Sequence, residues 1–293
     1  MSASNAEKMV AQVREKYGKI AEGTGCCGPS PTPCGGGSIE AVSESLGYSK
    51  AEIESLADAN LGLGCGAPID PLRLQPGEHV LDLGSGAGID VFLAAERVGA
   101  EGRVIGVDMT PEMLHKARAN AAKLGLNHVE FREGRLEQLP VVDASIDAVT
   151  SNCVINLVPD KAAVFAEIAR VLKPGGRLVI SDIVLDGPLP PTIEKDVYAY
   201  VGCISGAMQS AAYFAALQAA GLRDLEILKD VDYLGAMLDA APQEIRALLE
   251  RTGVAAEDVR GKVRSVTFRA CKREATQSCC GPTCCGGAQS GPA

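Results

Sequence analysis

Eleven cysteines in 293 residues are the first feature of this sequence that could do chemistry. In a reducing compartment, thiols at that density read as ligands or catalytic groups rather than structural disulfides, and an odd count points the same way. Three sit among small residues: Cys65 in Gly64-Cys65-Gly66, Cys153 in Ser151-Asn152-Cys153-Val154, and Cys203 in Gly202-Cys203-Ile204-Ser205-Gly206-Ala207. One such thiol alone reads as a small buried hydrophobe. Three of them, outside regular structure or at a strand end, suggest a sulfur-lined site. Cys26 and Cys27 open a Cys-Cys-Gly-Pro that recurs at 279–282. Cys279, Cys280, Cys284 and Cys285 crowd the tail without the Cys-x-x-Cys pairs of a zinc ribbon. They read either as a trap for a soft ion or as a tail that turnover does not need. Cys34 has no assignment, and Cys271, after a strand, is structural. The three histidines, His79, His115 and His128, are not at the presumed rim, so the sequence offers no imidazole base.

The second candidate is Asp82-Leu83-Gly84-Ser85-Gly86-Ala87-Gly88, followed 20 residues later by Asp108. Glycines between a strand and a helix let the backbone turn sharply and approach a ligand closely. An acid at the end of the next strand suits ribose hydroxyls. The glycines run G-x-G-x-G rather than the G-x-G-x-x-G of a dinucleotide pyrophosphate site. Asp82 would add a carboxylate beside the ligand, which favours a cation over a phosphate. A purely structural turn and a nucleotide-sugar or NAD site are the competing readings.

These residues need a scaffold, and the pattern supplies one. HVLDLG (79–84), RVIGVD (103–108), VEFREG (129–134), IDAVTS (146–151) and RLVISDIV (177–184) read as strands alternating with helices. That alternation predicts a parallel sheet covered on both faces. LEIL (225–228) and RSVTFRA (264–270) add two strands, the last antiparallel. Thr110-Pro111-Glu112 predicts a helix start with a capping hydroxyl, and Gly125 its stop. Residues 1–20 read as an amphipathic helix, 23–37 as a breaker-rich loop, and 60–68 as a second loop. Between them runs a helix interrupted at Gly47 and restarted at Ser49. The expected organisation is an N-terminal helical and loop segment (1–70), a cofactor-binding core (71–187), an acceptor-binding and closing subdomain (188–274) and a Cys-rich, disordered tail (275–293).

Composition excludes other classes. A formal charge of −9, five Phe, six Tyr and no Trp oppose nucleic-acid binding. No apolar run reaches the ~18–20 residues that cross a bilayer. The charged N-terminus lacks the apolar core of a signal peptide, so a cytoplasmic protein is expected.

The glycine motif, Asp82, Asp108 and Lys173-Pro174-Gly175-Gly176 ahead of a strand together resemble the Rossmann-like S-adenosylmethionine-dependent methyltransferases over residues 75–185. The fold this implies is α/β, with a mostly parallel sheet whose last strand is antiparallel, an N-terminal Cys-bearing segment and a small C-terminal subdomain. The Asn-Pro-Pro-Tyr or Asp-Pro-Pro-Tyr of amino-group methyltransferases is missing after the strand ending at Ser151; Asn152 and Cys153 stand there. Asn60-Leu61-Gly62-Leu63-Gly64-Cys65-Gly66, Ser151-Asn152-Cys153-Val154-Ile155-Asn156-Leu157 and the Cys203 motif resemble arsenite methyltransferases, from about Tyr17 to Lys272. That resemblance implies that Cys153 and Cys203 ligate trivalent arsenic with Cys65 as a further thiol, and that Cys26 or Cys27 serves redox chemistry. It implies cofactor contacts from Asp82, Gly84, Gly86, Gly88, Asp108, Met109, Leu136, Glu137 and Asn152. A monomer acting on arsenite and methylated arsenicals in detoxification, with thioredoxin or glutathione as reductant, is the corresponding expectation. Thiolate capture of a soft acceptor agrees with the residues themselves. The alternatives are a methyltransferase for another small molecule and a metalloid-binding protein without turnover. The sequence departs from the family at its tail, where Cys pairs follow the last strand closely.

Overall fold

A computed structural model describes residues 3–23, 39–194, 206–235 and 242–274. Cys26, Cys27, Cys34, Cys203 and the four tail cysteines lie outside these residues.

A seven-stranded sheet runs through the molecule in the order β3-β2-β1-β4-β5-β7-β6. Its strands are β1 (His79–Leu83), β2 (Arg103–Asp108), β3 (Val129–Glu133), β4 (Ile146–Asn152), β5 (Leu172–Leu185), β6 (Leu222–Asp232) and β7 (Val263–Lys272). The first five are parallel, and β7 lies antiparallel between β5 and β6. The last two strands of the sheet therefore come from the segment after residue 187.

Strand alternation sorts the apolar residues onto two faces, as a period of two requires. Leu81, Leu83, Val149, Leu178 and Ile180 pack on one side with Phe165, Ile168, Tyr213 and Leu217 from α7 (Lys161–Val171) and α9 (Ser210–Ala219). Val80, Val104, Ala148 and Val179 pack on the other with Val91, Phe92 and Leu114 from α5 (Ile89–Val98) and α6 (Pro111–Leu124). Each fully buried large side chain contributes about 1.5–3 kcal/mol of transfer free energy, so both faces are held firmly. A third apolar cluster sits at the rim and includes Cys65, Cys153, Leu157, Ile183 and Leu189, with Val13 of α1 (Ala3–Ala21).

The helix interrupted at Gly47 appears as α2 (Ile39–Leu46) and α3 (Lys50–Ser55). Gly47 takes a φ of 119°, and Ser49 caps α3 through a reciprocal capping box with Glu52. The short helices α4 (Ile69–Leu72) and α8 (Pro191–Glu194) were not expected from the pattern. Three local expectations are revised. Thr110 precedes α6 but its hydroxyl does not cap the backbone; it is drawn to the buried Asp108 carboxylate, which also accepts the Thr110 N–H at 2.8 Å. Lys173-Pro174-Gly175-Gly176 lies within β5 rather than ahead of it, at a break in the β4–β5 register. And β6 runs well beyond Leu225–Leu228 in both directions.

Candidate active site

Strand order reverses at β1 and β4, which lie side by side, and ligands gather at the carboxyl ends of strands at such a switch point. The chain puts both of its chemical motifs there: the glycine turn leaves β1, and Asn152-Cys153 leaves β4. A cavity of about 1190 Å³, counting its open mouth, fills the crevice. Asp82, Gly84, Gly86, Asp108, Met109, Leu136, Glu137, Asn152 and Cys153 all line it. Gly88 does not. It caps α5 with a φ of 100°, and a Cβ there would lie 2.7 Å from Phe92.

Three of the acids at the cavity are buried. Asp82, 3% exposed, makes no hydrogen bond among the described residues; burial, and then the neighbouring acids Asp90 and Asp108, push its carboxyl well above the ordinary range. Asp108 accepts from the amides of Gly86 (2.9 Å) and Thr110 (2.8 Å), yet burial still raises it. Asp90 on α5 was not anticipated. It accepts from the Tyr48 hydroxyl (2.8 Å) and the Asn152 amide (3.1 Å), and burial raises its carboxyl to about 6. No motif marks Asp90 or Tyr48. The signal closest to one was an acid in the first turn of a helix that continues Val91-Phe92-Leu93-Ala94-Ala95.

Helix α1 closes one wall, with Val10, Val13 and Tyr17 facing the cavity. Arg135 ties that wall to the loop after β3, binding Glu7 at 2.8 Å and Glu137 at 2.9 Å. Exposed pairs of this kind are worth about 0–1 kcal/mol, so they locate α1 rather than lock it.

Of the two described thiols from the sequence motifs, Cys153 lines the cavity, whereas Cys65 does not and follows Gly64, which does. Cys153 is 6% exposed and Cys65 4%, neither is in a disulfide, and both belong to the rim cluster. Cys153 holds a φ of 60°, in the left-handed region that non-glycine residues seldom occupy. Its N–H donates to Ser181 O at 2.8 Å. Strain of this sort persists where surrounding structure enforces it, and it collects at functional sites. The Cys65 carbonyl accepts from Ser265 Oγ at 2.8 Å, so β5 and β7 anchor the two thiols from below.

A doubly wound sheet with a glycine turn, buried acids and a thiol at its switch point defines a Rossmann-like protein. Comparison with known proteins agrees. Residues 74–253 match the family described as "Methyltransferase domain". The arsenite methyltransferase of Halobacterium salinarum is 48% identical over 230 residues, 75% of this chain and 59% of that protein. The human arsenite methyltransferase is 40% identical over 154 residues, 50% of this chain and 40% of that protein. The crystal structure of an arsenic (III) S-adenosylmethionine methyltransferase from Chlamydomonas reinhardtii superposes with a TM-score of 0.61 at 32% identity, covering 78% of this chain and 75% of that one. The chain thus belongs to the methyltransferase-domain family and, within it, to the arsenite methyltransferases. It spans about three fifths of the length of the Halobacterium relative and two fifths of the human one.

Proposed function

We propose that this protein transfers methyl groups from S-adenosylmethionine to thiol-bound trivalent arsenic. The observation that carries the reading is the buried Cys153 in the lining of a cavity walled by a glycine turn and acids, with Cys65 buried in the same apolar cluster.

The cavity's donor set fits the cofactor. Asp82 has no hydrogen-bonding partner of its own among the described residues and is surrounded by further acids, which favours a ligand with positive charge. A Cβ at Gly86 would enter open space, its nearest neighbour Met113 Sδ at 4.0 Å; a ligand can fill that space. Asp82 would receive the cationic end, Asp108 the ribose hydroxyls, and Met109, Leu136 and Glu137 the adenine. Bound there, the cofactor supplies a methyl group made electrophilic by its sulfonium.

Cys65 and Cys153, with Cys203 as the third thiol, hold the arsenic. Each thiol proton leaves with one arsenic hydroxide as water, so exchange is neutral. Three sulfur ligands leave the arsenic lone pair directed away from them. The protein contributes chiefly proximity and alignment, and the dry rim cluster keeps water from competing. Methylation at that lone pair raises arsenic formally by two electrons. We assign their return to a cysteine pair that includes Cys26 or Cys27; closing to a disulfide releases two electrons and two protons, and thioredoxin or glutathione resets it. Inorganic arsenite and methylated arsenicals are the acceptors, and the setting is arsenic detoxification in the cytoplasm. No helix among the described residues is long and apolar enough to cross a membrane.

The test is arsenic speciation by chromatography with element-specific mass detection, after incubation with arsenite, S-adenosylmethionine and a thiol reductant. Mono- and dimethylated arsenic that disappears without cofactor, and falls at least a hundredfold in Cys153→Ser, is expected. Full methylation by Cys153→Ser would remove that thiol from the mechanism, and unchanged arsenite in the wild type would point to another acceptor.

A further inference from the structure

We propose that Asn152 is the positioning residue that sets the two thiols against each other: its backbone delivers Cys153 and its side chain holds the backbone of Cys65. Asn152 ends β4, so Cys153 follows it directly. Its Oδ1 accepts from the amide N–H of Cys65 at 2.9 Å and of Gly66 at 3.3 Å. Its Nδ2 donates to Gly66 O at 2.7 Å. One side chain therefore grips both the N–H and C=O groups of a loop 86 and 87 positions away in sequence.

The amide can sit only one way round. Two backbone N–H groups face Oδ1, and a carbonyl, the Tyr48 hydroxyl (2.9 Å) and the Asp90 carboxylate (3.1 Å) face Nδ2. Reversing it would set nitrogen against donors and oxygen against acceptors. Tyr48 in turn donates to Asp90 at 2.8 Å, so Tyr48 from the α2–α3 junction and Asp90 from α5 brace the amide from behind. Nδ2 has two hydrogens for three acceptors, and the shared third contact ties the brace to the grip.

The glycines flanking Cys65 follow from this arrangement. A Cβ at Gly64 would lie 2.7 Å from Asn152 Nδ2, and one at Gly66 would lie 2.8 Å from Ser181 Cβ. Only glycines let the loop press onto β4 and β5. Asn60, at the start of the same motif, pins its near end through Ser43 at 2.8 Å and Gly62 N–H at 3.1 Å. Asn152 also lines the cavity, but its side-chain hydrogen bonds go to the Cys65 loop and its brace.

This inference deepens the proposed reaction and rests on it for its effect in turnover, whereas its structural content is testable without arsenic. Rates of iodoacetamide labelling at Cys65 and Cys153, read peptide by peptide by mass spectrometry, are compared in wild type and Asn152→Ala alongside S-adenosylhomocysteine affinity. The expected result is Cys65 labelling at least tenfold faster in the variant, a larger factor than any loss of S-adenosylhomocysteine affinity. Unchanged Cys65 labelling, or a tenfold loss of S-adenosylhomocysteine affinity with Cys65 unaltered, overturns it. Should Asn152→Ala not fold, Tyr48→Phe removes one bracing hydroxyl and is expected to raise Cys65 labelling about threefold; no change there likewise overturns it. In turnover, KM for arsenite should rise about tenfold in Asn152→Ala, by a larger factor than KM for S-adenosylmethionine.

Discussion

Asp82 carries the electrostatics of the cavity because it is the buried acid there to which no described residue donates a hydrogen bond. A carboxylate in that position is costly to ionise alone and favourable beside a cation. Asp82→Asn removes the attraction and leaves the shape. S-adenosylmethionine affinity, measured by titration calorimetry, should fall at least tenfold. S-adenosylhomocysteine, which lacks the sulfonium charge, should lose less, and equal losses would place Asp82 away from the charged end. Asp82, Asp108 and Cys153 could be read from the sequence because each is tied to a strand end or a glycine turn, where backbone geometry dictates what faces the ligand. Tyr48 and Asp90 could not. Their partnership with Asn152 spans 104 and 62 positions, and local pattern records nothing at that range.

At the scale of elements, the turn after β1 is where local geometry and the site meet. Gly84 has a φ of 70°, and a Cβ added there would lie 2.7 Å from Val154 Cβ, beside Cys153. Gly84→Ala therefore combines left-handed strain with a collision that pushes Val154 and its neighbouring thiol. A loss of about 1–3 kcal/mol in stability is expected from the strain alone, visible as a lower midpoint in chemical denaturation. Cofactor affinity should drop at least tenfold. A variant with unaltered stability and affinity would mean that the turn relaxes freely. The strands and the helices over them were legible because burial on both faces writes apolar runs bounded by glycine and proline. The start of β5 was not, since Pro174 and two glycines read as a stop; tertiary pairing with Ile146 carries the strand through them. The capping hydroxyl of Thr110 escaped the pattern for a similar reason: a buried carboxylate two residues earlier competes for it.

For the molecule as a whole, the acids form two populations whose effects on stability have opposite signs. Glu130, paired with Arg132 and Arg103, is lowered to about 2; what it contributes is present above its ordinary value of 4.5 and lost as pH falls toward 2. The buried acids do the reverse. Asp182 is raised to about 7 by burial, despite the hydroxyl of Tyr213 at 2.9 Å and the nearby Lys161. Above its ordinary value of 3.8 the unfolded chain ionises there while the folded one resists, so stability declines as pH rises toward 7 and then levels. Asp182→Asn should flatten that decline by a few kcal/mol between about pH 5 and pH 8, on the order of 1.4 kcal/mol for each tenfold change in proton affinity on folding. Urea denaturation at the two pH values measures it. Parallel wild-type and variant profiles would exclude Asp182 as its source.

Asp82 and Asp90 obey the same sign, with Asp90 raised to about 6, but they differ in what faces them. Around Asp182 the surroundings are fixed by the fold, whereas the cavity acids look onto a space that a cation can enter. A cationic ligand lowers both carboxyls, removing a penalty that exists only where the unbound protein would have to ionise them. Through Asp90 its stabilising effect must therefore grow with pH up to about 6, and Asp82, also raised, adds growth of the same sign, on top of the usual dependence on concentration relative to Kd. The shift in Tm caused by a fixed, saturating concentration of S-adenosylmethionine should be larger at about pH 7.5 than at about pH 5, and the difference should shrink in Asp90→Asn. S-adenosylhomocysteine, with one positive charge fewer, should show a weaker pH dependence. A Tm shift that is the same at both pH values would mean that the buried acids do not meet the ligand's charge, and the cavity's electrostatics would need another occupant.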